Sequence, residues 1–315
     1  MKSFSLTFLS PLLVVSSRDD CMDINRQYLI SVDEKILEHH CESIVESLSK
    51  LPSSDYWPRS LLMNDVYPFT VLTESPFVDD DWRPTFQARA KLIASKCDSI
   101  ECIAMEMNEK IYDLTDPPIV FEAAPSNHLN SYSVSETLLK KKGSCTPLSV
   151  FLITALRMVG VPSRIVGVPH WNLGPARCPM GDASEECGNH NWVEVYVDGK
   201  GWSFLDQRRP DRDILPLNHS WFYPDFVQRN SIPRNGNHSV YAASVLDVNQ
   251  LRASGYPVGN GVVNGDHFPM VWDWENHAIP AWDVSDAYSV NWTARKISGH
   301  NIFNAIVRDH MHVQP

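Results

Sequence analysis

The sequence predicts an α+β protein, in which helices and a helix that begins at a cysteine precede a β-hairpin and further strands. Helix-forming segments fill the first third of the chain, one amphipathic helix lies near the middle, and strand-like segments follow it. Helical periodicity followed by strand patterns is typical of α+β domains. We expect a helical N-terminal lead-in, a central core and a β-rich C-terminal extension.

The N-terminal region, residues 18–117, is predicted to be mainly helical. Residues 22–50 carry apolar side chains at helical spacing, and the Leu-Pro pair at 51–52 ends this run. Residues 84–113 have the pattern of one long helix or two short ones. No motif in this region indicates chemistry.

The core, residues 118–235, contains the most regular helix of the chain. SETLLKKK is predicted to be a short helix capped by Ser135, and the next helix begins at Cys145 in KKKGSCTPLSVFL. Gly160 is placed to end this second helix, and Pro162 follows two residues later. The apolar residues of the second helix recur on one face: Leu148, Phe151, Leu152, Ala155, Leu156 and Val159.

Strands are predicted on the C-terminal side of this helix. SRIVGVP (163–169) has the continuous apolar character of a buried strand. NWVEVYV and WSFLD flank DGKG (198–201), which is typical of a β-hairpin. The extension covers residues 236–315, and its expected strands lie at 239–246, 268–274 and 279–284.

Composition and charge argue against several classes of partner. The 315 residues, 43% hydrophobic and 21% charged, are typical of a globular protein with ample core. The net charge of −11 argues against nucleic acid, because phosphate binding needs a basic face. No apolar run reaches about 18 residues, so no membrane-spanning helix is expected. The oligomeric state is not indicated.

The N-terminus and the cysteines bear on the compartment. Residues 1–17 form a candidate signal peptide, and the alternative is the first strand or helix of a cytosolic protein. If Cys145 is reserved for chemistry, the other six of the seven cysteines can form three disulfides, with Cys178–Cys187 one sensible pair. We therefore favour a secreted or extracytoplasmic location, with a cytoplasmic one as the alternative.

Cys145 is the candidate nucleophile. It opens a helix, whose unpaired N–H groups and positive dipole end lower a cysteine pKa. A thiolate also needs a base, and the base needs a group that orients it. His190 begins the first strand of the predicted hairpin and Asp206 ends the second. A turn with an odd number of residues, such as Asp198–Lys200, puts both side chains on one face, whereas a two-residue turn would separate them.

Three blocks of sequence carry a resemblance to a known family. GSCTPLSVFLITALRMVGVPSRIVG joins a Gly-x-Cys turn to an A-L-R-x-x-G-V-P-S-R ending, HNWVEVY is a His-x-Trp-x-Glu-x-Tyr strand, and WSFLD is a Trp-x-x-x-Asp strand. With these blocks in this order, residues 143–206 resemble the transglutaminase-like superfamily. Residues 207–285 more loosely resemble the tail of secreted bacterial transglutaminase-like proteins.

The resemblance implies a papain-like α+β core, in which the helix that bears the cysteine packs on an antiparallel sheet, with a Cys-His-Asp triad. Cys145 is then the nucleophile, His190 the general base and acid, and Asp206 the orienter of His190. The backbone N–H of Cys145 would form part of the oxyanion hole. Two positions depart from the family pattern, since Asn191 stands in place of a small residue and Gln207 in place of a proline.

Further residues of the core have weaker assignments. Trp192 and Trp202 are candidates for the wall of the substrate cleft, with packing in the core as the alternative. Arg164 and Glu194 match family positions and are expected to form an ion pair. A zinc site formed by Cys178, Cys187 and His190 is disfavoured because structural zinc sites usually show closely spaced cysteine pairs. Neither a metal nor a cofactor is expected.

The implied function is cysteine-dependent acyl transfer on protein or peptide amides through a Cys145 thioester. We expect water as the acceptor, which makes the protein a protease, amidase or deamidase. One alternative is an amine-accepting protein-glutamine transglutaminase. The other is a non-catalytic binding protein on the same fold.

Overall fold

The computed structural model describes most of the N-terminal and central chain. The described residues are 17–29, 32–51, 54–72, 74, 82–122, 132–168, 189–208, 215–219, 239–257, 263–264, 268 and 279–292. The α-helices are α1 Arg18–Tyr28, α2 Glu34–Leu48, α3 Arg59–Asp65, α4 Trp82–Ala94, α5 Ile100–Lys110, α6 Val134–Lys140, α7 Cys145–Met158, α8 Val248–Ala253 and α9 Ser285–Trp292. The strands are β1 Val120–Phe121, β2 Lys142–Gly143, β3 Ser163–Val168, β4 His190–Val197, β5 Gly201–Leu205, β6 Tyr241–Ala243, β7 Val263–Asn264 and β8 Ala281–Asp283.

The N-terminal region consists of helices, as predicted, but its first segment is divided. The single helical run expected over 22–50 is two helices, because α1 ends at Tyr28 and Asp33 starts α2 by accepting a hydrogen bond from the Lys35 N–H. A disulfide between Cys21 and Cys41 joins the two helices. Residues 84–113 form the two short helices that the sequence allowed, α4 and α5.

The helix that begins at Cys145 lies at the centre of the molecule. All fourteen residues of α7 are buried, so the helix is covered on every face and not only on the apolar face that the sequence predicts. Helices α2, α4, α5 and α6 and strands β3 and β4 all pack on α7, which explains why no face is left exposed. The ring of Phe151 illustrates this packing, since it meets Phe86 of α4 edge-on at 4.8 Å between ring centroids.

Glycine and proline end α7 where the sequence predicts it. Gly160 has φ +82°, and its N–H donates to the carbonyl of Arg157 at 2.9 Å. A side chain there would also meet the backbone nitrogen of Leu48 at 3.2 Å, so glycine is required for both conformation and space. The helix before α7 differs from its prediction: its cap is Ser133, which accepts from the Glu136 N–H, because Ser135 already lies inside α6.

One sheet runs beside α7. Among the described residues it has six strands in the order β5-β4-β3-β6-β8-β7, and every pairing is antiparallel. The predicted hairpin is β4–β5, and the predicted buried strand is β3. Strands from the C-terminal part of the chain therefore continue the sheet that β3–β5 begin. This arrangement is the expected α+β core, with a cysteine-bearing helix on an antiparallel sheet.

The C-terminal strands are shorter than expected. The strand predicted at 239–246 covers only Tyr241–Ala243, and the one at 279–284 covers Ala281–Asp283. The segment 268–274 lies outside the described residues except for Phe268, which is not in a strand. The candidate signal peptide lies outside the described residues apart from Ser17, as do both cysteines of the expected Cys178–Cys187 pair.

The expected ion pair of β3 and β4 is present and buried. Arg164 and Glu194 face each other in register, and Nη2 of Arg164 lies 2.6 Å from Oε2 of Glu194. The Tyr288 hydroxyl donates to the other carboxylate oxygen at 2.5 Å. Because both partners of a buried charge pair must be hydrogen-bonded to offset desolvation, this pair is structural.

Candidate active site

The turn before α7 places Cys145 at the start of the helix. Strand β2 pairs with β1 and leads through Ser144 into α7, and Ser144 makes no side-chain capping bond. A side chain at Gly143 would come within 2.9 Å of Pro147, so only glycine allows the chain to pass this close. The Cys145 thiol is thus held at a helix start whose N–H groups the Ser144 side chain leaves uncapped.

The β-hairpin brings His190 and Asp206 together. The pair Val197↔Gly201 leaves three residues, 198–200, in the turn, which confirms the odd-numbered turn that the sequence required. Continuing the register beyond Val193↔Leu205 puts Asp206 opposite Trp192, which is two residues from His190 and on the same face of the sheet. The side chains meet, with Nε2 of His190 3.2 Å from Oδ1 of Asp206.

His190 lies between a carboxylate and a thiol. Burial lowers the pKa of His190, but the charge and hydrogen bond of Asp206 and its interaction with Cys145 outweigh burial and raise the pKa to about 9. Because Nε2 faces Asp206, Nδ1 is the nitrogen left for Cys145. The imidazole is therefore held protonated, with one ring nitrogen directed at each neighbour.

The Cys145 thiol is acidic although it is buried. Burial raises its pKa, and the hydrogen bond and charge of His190, the Asn191 N–H and the Thr146 hydroxyl together lower the pKa below its ordinary value. The side chains of Cys145, His190 and Asp206 are all at least nine-tenths buried. Opposite shifts on the thiol and the imidazole favour a thiolate–imidazolium pair.

A side-chain hydrogen bond links the start of α7 to the start of β4. Nδ2 of Asn191 donates to Oγ1 of Thr146 at 2.6 Å, and both residues are buried. Each is the chain neighbour of a predicted site residue, Asn191 of His190 and Thr146 of Cys145. This bond therefore fixes the distance between the two elements that carry the thiol and the imidazole. The residue noted as a departure from the family pattern joins the halves of the site.

Two residues without an assigned role also touch Asp206. Nδ2 of Asn108 in α5 donates to the backbone carbonyl of Asp206 at 2.7 Å, and the Gln207 amide lies 2.8 Å from its carboxylate. Sequence reasoning missed Asn108 because no motif includes it. The sequence signal that could have indicated Asn108 is its place beside Ala104 and Met107 on the apolar side of a helix, where a polar residue is unusual.

The two tryptophans predicted to line a cleft lie in strands β4 and β5. Trp192 has no exposed surface, and its Nε1 donates to the hydroxyl of Tyr288 at 2.7 Å. Trp202 pairs with Tyr196, six residues after His190 in β4, which is roughly 20 Å along a strand. The described contacts of both side chains are packing contacts within the molecule, and their role at a substrate cleft stays a prediction.

Other candidate features were sought among the described residues. They contain no group of three or more His, Cys, Asp and Glu side chains able to hold a metal ion. Two of the three residues of the disfavoured zinc set, Cys178 and Cys187, lie outside the described residues. Within the described segments, no helix has both the length and the apolar character needed to cross a membrane.

Comparisons with known proteins locate the family resemblance. Residues 91–207 match the family model of the transglutaminase-like superfamily. No curated protein matches the chain significantly. Among solved structures, a candidate cysteine protease from Cytophaga hutchinsonii aligns with a TM-score of 0.28 and 17% identity, over 42% of this chain and 44% of that one. A candidate protease from Parabacteroides distasonis aligns with a TM-score of 0.30 and 15% identity, over 51% of this chain and 26% of that one.

The matched segment contains Cys145, His190, Asp206 and the two amide side chains that contact Asp206. It begins in α4, includes α5, α6 and α7, and ends at Gln207, directly after the hairpin. The chain spans less than half the length of either solved protein above. Between residues 91 and 207, this chain is similar to the core of the transglutaminase-like superfamily.

Proposed function

We propose that this protein is a cysteine-dependent hydrolase that cleaves protein or peptide amides through a thioester on Cys145. The observation that carries the proposal is the position of the His190 ring, which is bonded to Asp206 on one side and to the Cys145 thiol on the other. A thiol paired with an imidazolium at a helix N-terminus is a nucleophile at neutral pH. The superfamily match supports cysteine-dependent chemistry in general terms.

The proposed reaction has two halves that use the same residues. The Cys145 thiolate attacks the amide carbonyl, and the carbonyl electrons move onto oxygen, where the Cys145 N–H at the start of α7 donates to the oxyanion. When the C–N bond breaks, protonated His190 gives its proton to the leaving amine. The neutral imidazole then takes a proton from water, which attacks the thioester and releases the acid and the thiolate. Asp206 holds the ring throughout and stabilises its charged form.

The proposal also assigns water as the acceptor of the acyl group. The described residues supply a nucleophile, a base and an orienter, and a hydrolase needs no other catalytic group. A transglutaminase needs in addition a site that holds an amine and excludes water. We therefore retain the amine-accepting reaction as an outcome of the test rather than as a second proposal.

The cysteines bear on the compartment in which the protein works. Within the described segments, two disulfides form, Cys21–Cys41 and Cys97–Cys102, and Cys145 is free. Stable disulfides are typical of oxidising compartments, so they support an extracytoplasmic location. A free thiol kept beside a histidine in such a compartment is consistent with a chemical role for Cys145.

The test is detection of the acyl-enzyme. Wild-type protein, Cys145→Ala and His190→Ala are incubated with a library of peptide amides, with and without a small primary amine, and analysed by intact-mass spectrometry. We expect a thioester adduct and a free-acid product with wild-type protein only, with unchanged circular dichroism for Cys145→Ala. An amine-linked product in place of the acid would identify a transglutaminase. Product formation by Cys145→Ala would contradict the proposal.

A further inference from the structure

The orienting carboxylate lies beyond the ladder that holds its strand. Strand β5 ends at Leu205, one residue before Asp206. Its carboxylate must nevertheless keep one oxygen 3.2 Å from Nε2 of His190. Freely rotating carboxylates lose such a geometry, because each unrestrained side-chain torsion has several staggered wells.

Asn108 binds the backbone on both sides of Gln207. Its Nδ2 donates to the Asp206 carbonyl at 2.7 Å, and its Oδ1 accepts from the Arg208 N–H at 2.8 Å. One side-chain amide thus pairs with the carbonyl of one residue and the N–H of the residue two positions on, as a neighbouring strand would. Because Asn108 is only 2% exposed, water does not compete strongly for these bonds.

Gln207 holds the carboxylate itself. The Gln207 side chain is 2% exposed, and its amide nitrogen lies 2.8 Å from Oδ1 of Asp206. The same nitrogen lies 3.3 Å from the Asn191 carbonyl and 3.3 Å from the Ser149 hydroxyl. The amide is assigned in this orientation because the reverse one would put its oxygen against acceptors.

We propose that Gln207 is a positioning residue that acts through Asp206, and that Asn108 supports it by fixing the Asp206 backbone. The two amides hold the carboxylate in the rotamer in which Oδ1 meets His190. Neither amide touches the thiol, so their influence on Cys145 passes through Asp206 and His190. The inference rests on the proposed function, because it concerns how the base of that reaction is oriented.

The test compares the pH midpoint of Cys145 alkylation by iodoacetamide in folded full-length variants. Gln207→Met keeps the length of the side chain and removes the donor, so the carboxylate of Asp206 loses one of the bonds that hold it against His190 and the imidazolium loses support. We expect the midpoint to rise by about one pH unit, the effect of losing one hydrogen bond to a charged group. Ser149→Ala is the matched control, because it removes another neighbour of the Gln207 amide, and it should keep the wild-type midpoint.

A double variant tests whether the effect passes through Asp206. In an Asp206→Asn background, Gln207→Met should add no further shift. An equal shift in that background, or a wild-type midpoint for Gln207→Met, would overturn the inference and leave the proposed function standing. An ordinary thiol midpoint in the wild-type protein would overturn both.

Asn108→Ala supplies an independent approach that leaves the buried Gln207 in place. We expect its midpoint to move in the same direction by a smaller amount, and folding of each variant is checked by circular dichroism. If Gln207→Met does not fold, the result from Asn108→Ala decides the inference. A wild-type midpoint for a folded Asn108→Ala protein would then overturn it.

Discussion

At the scale of single residues, the protonation of His190 depends on one carboxylate. The pKa of about 9 reflects Asp206 and Cys145 acting against burial. A folded-state pKa above the ordinary 6.5 means that His190 contributes stability that is complete below about pH 6.5 and is lost as the pH rises through about 9. Cys145 has the opposite sign, because its lowered pKa contributes stability that is lost as the pH falls through that value.

Substituting Asp206 tests this dependence directly. In Asp206→Asn the side chain keeps its size and loses its charge, so we expect the pKa of His190 to fall from about 9 towards 6.5 or below. The measurement is an NMR titration of the histidine rings, in which the His190 signal is the one that His190→Ala lacks. Asp198→Asn is the control, because Asp198 lies at the opposite end of the hairpin and an amide there can still accept from Trp57. A His190 pKa that stays near 9 in Asp206→Asn would contradict the assignment.

Part of the site could be predicted from residues alone. Cys145 at a helix start and the His190–Asp206 hairpin follow from local patterns, since helical periodicity and strand alternation need no tertiary knowledge. Asn108 and Gln207 could not be found in this way. Their contacts with Asp206 join residues 98 positions apart or depend on a side-chain rotamer, and no sequence spacing encodes either.

At the scale of secondary-structure elements, the end of α7 is fixed by one glycine. Gly160 combines φ +82° with a backbone neighbour, the Leu48 nitrogen, only 3.2 Å from any added side chain. The left-handed conformation of Gly160 explains why the end of α7 could be predicted correctly. The start of α6, in contrast, was predicted at the wrong serine. A left-handed glycine leaves a strong local signal, whereas Ser133 and Ser135 are equally good caps and packing decides between them.

Gly160→Ala should therefore cost more stability than a glycine substitution in an open turn. Gly199 is the matched control, since its φ is +71° and nothing lies within 4 Å of an added side chain. Each alanine lowers the free energy of unfolding by about 1–2 kcal/mol, because its residue must adopt the left-handed conformation. Gly160→Ala lowers it further, because the added methyl group also has to displace α2. Chemical denaturation measures the free energy of unfolding of both variants. Equal losses would show that α2 adapts to the new side chain without cost.

At the scale of the whole molecule, α7 is surrounded on all sides, which the sequence did not reveal. Its apolar pattern fits a helix with one buried face, yet helices from the N-terminal region cover the rest. Long-range packing of this kind depends on topology, which periodicity does not encode. The overall class was predictable because the order of helical and strand segments suffices to define it.

The disulfides should stabilise the molecule unequally. The pair Cys21–Cys41 closes a 20-residue separation between α1 and α2, while Cys97–Cys102 spans 5. Loop-closure entropy gives roughly 3 kcal/mol for the first and about 2 kcal/mol for the second. We expect the double serine variant at 21 and 41 to lose about 1 kcal/mol more in urea unfolding than the one at 97 and 102. The reverse order would show that native-state packing, rather than chain entropy, sets the contribution.

The central claim is that Cys145 is an activated nucleophile, and its alkylation rate across a pH series tests this most directly. Peptide mass spectrometry follows Cys145 in the folded wild-type protein and in His190→Ala, and Cys145→Ala identifies its signal. We predict alkylation that persists well below the ordinary thiol pKa of about 8.5 and that slows sharply without His190. A Cys145 that reacts only after denaturation, or that ignores the loss of His190, would contradict the account.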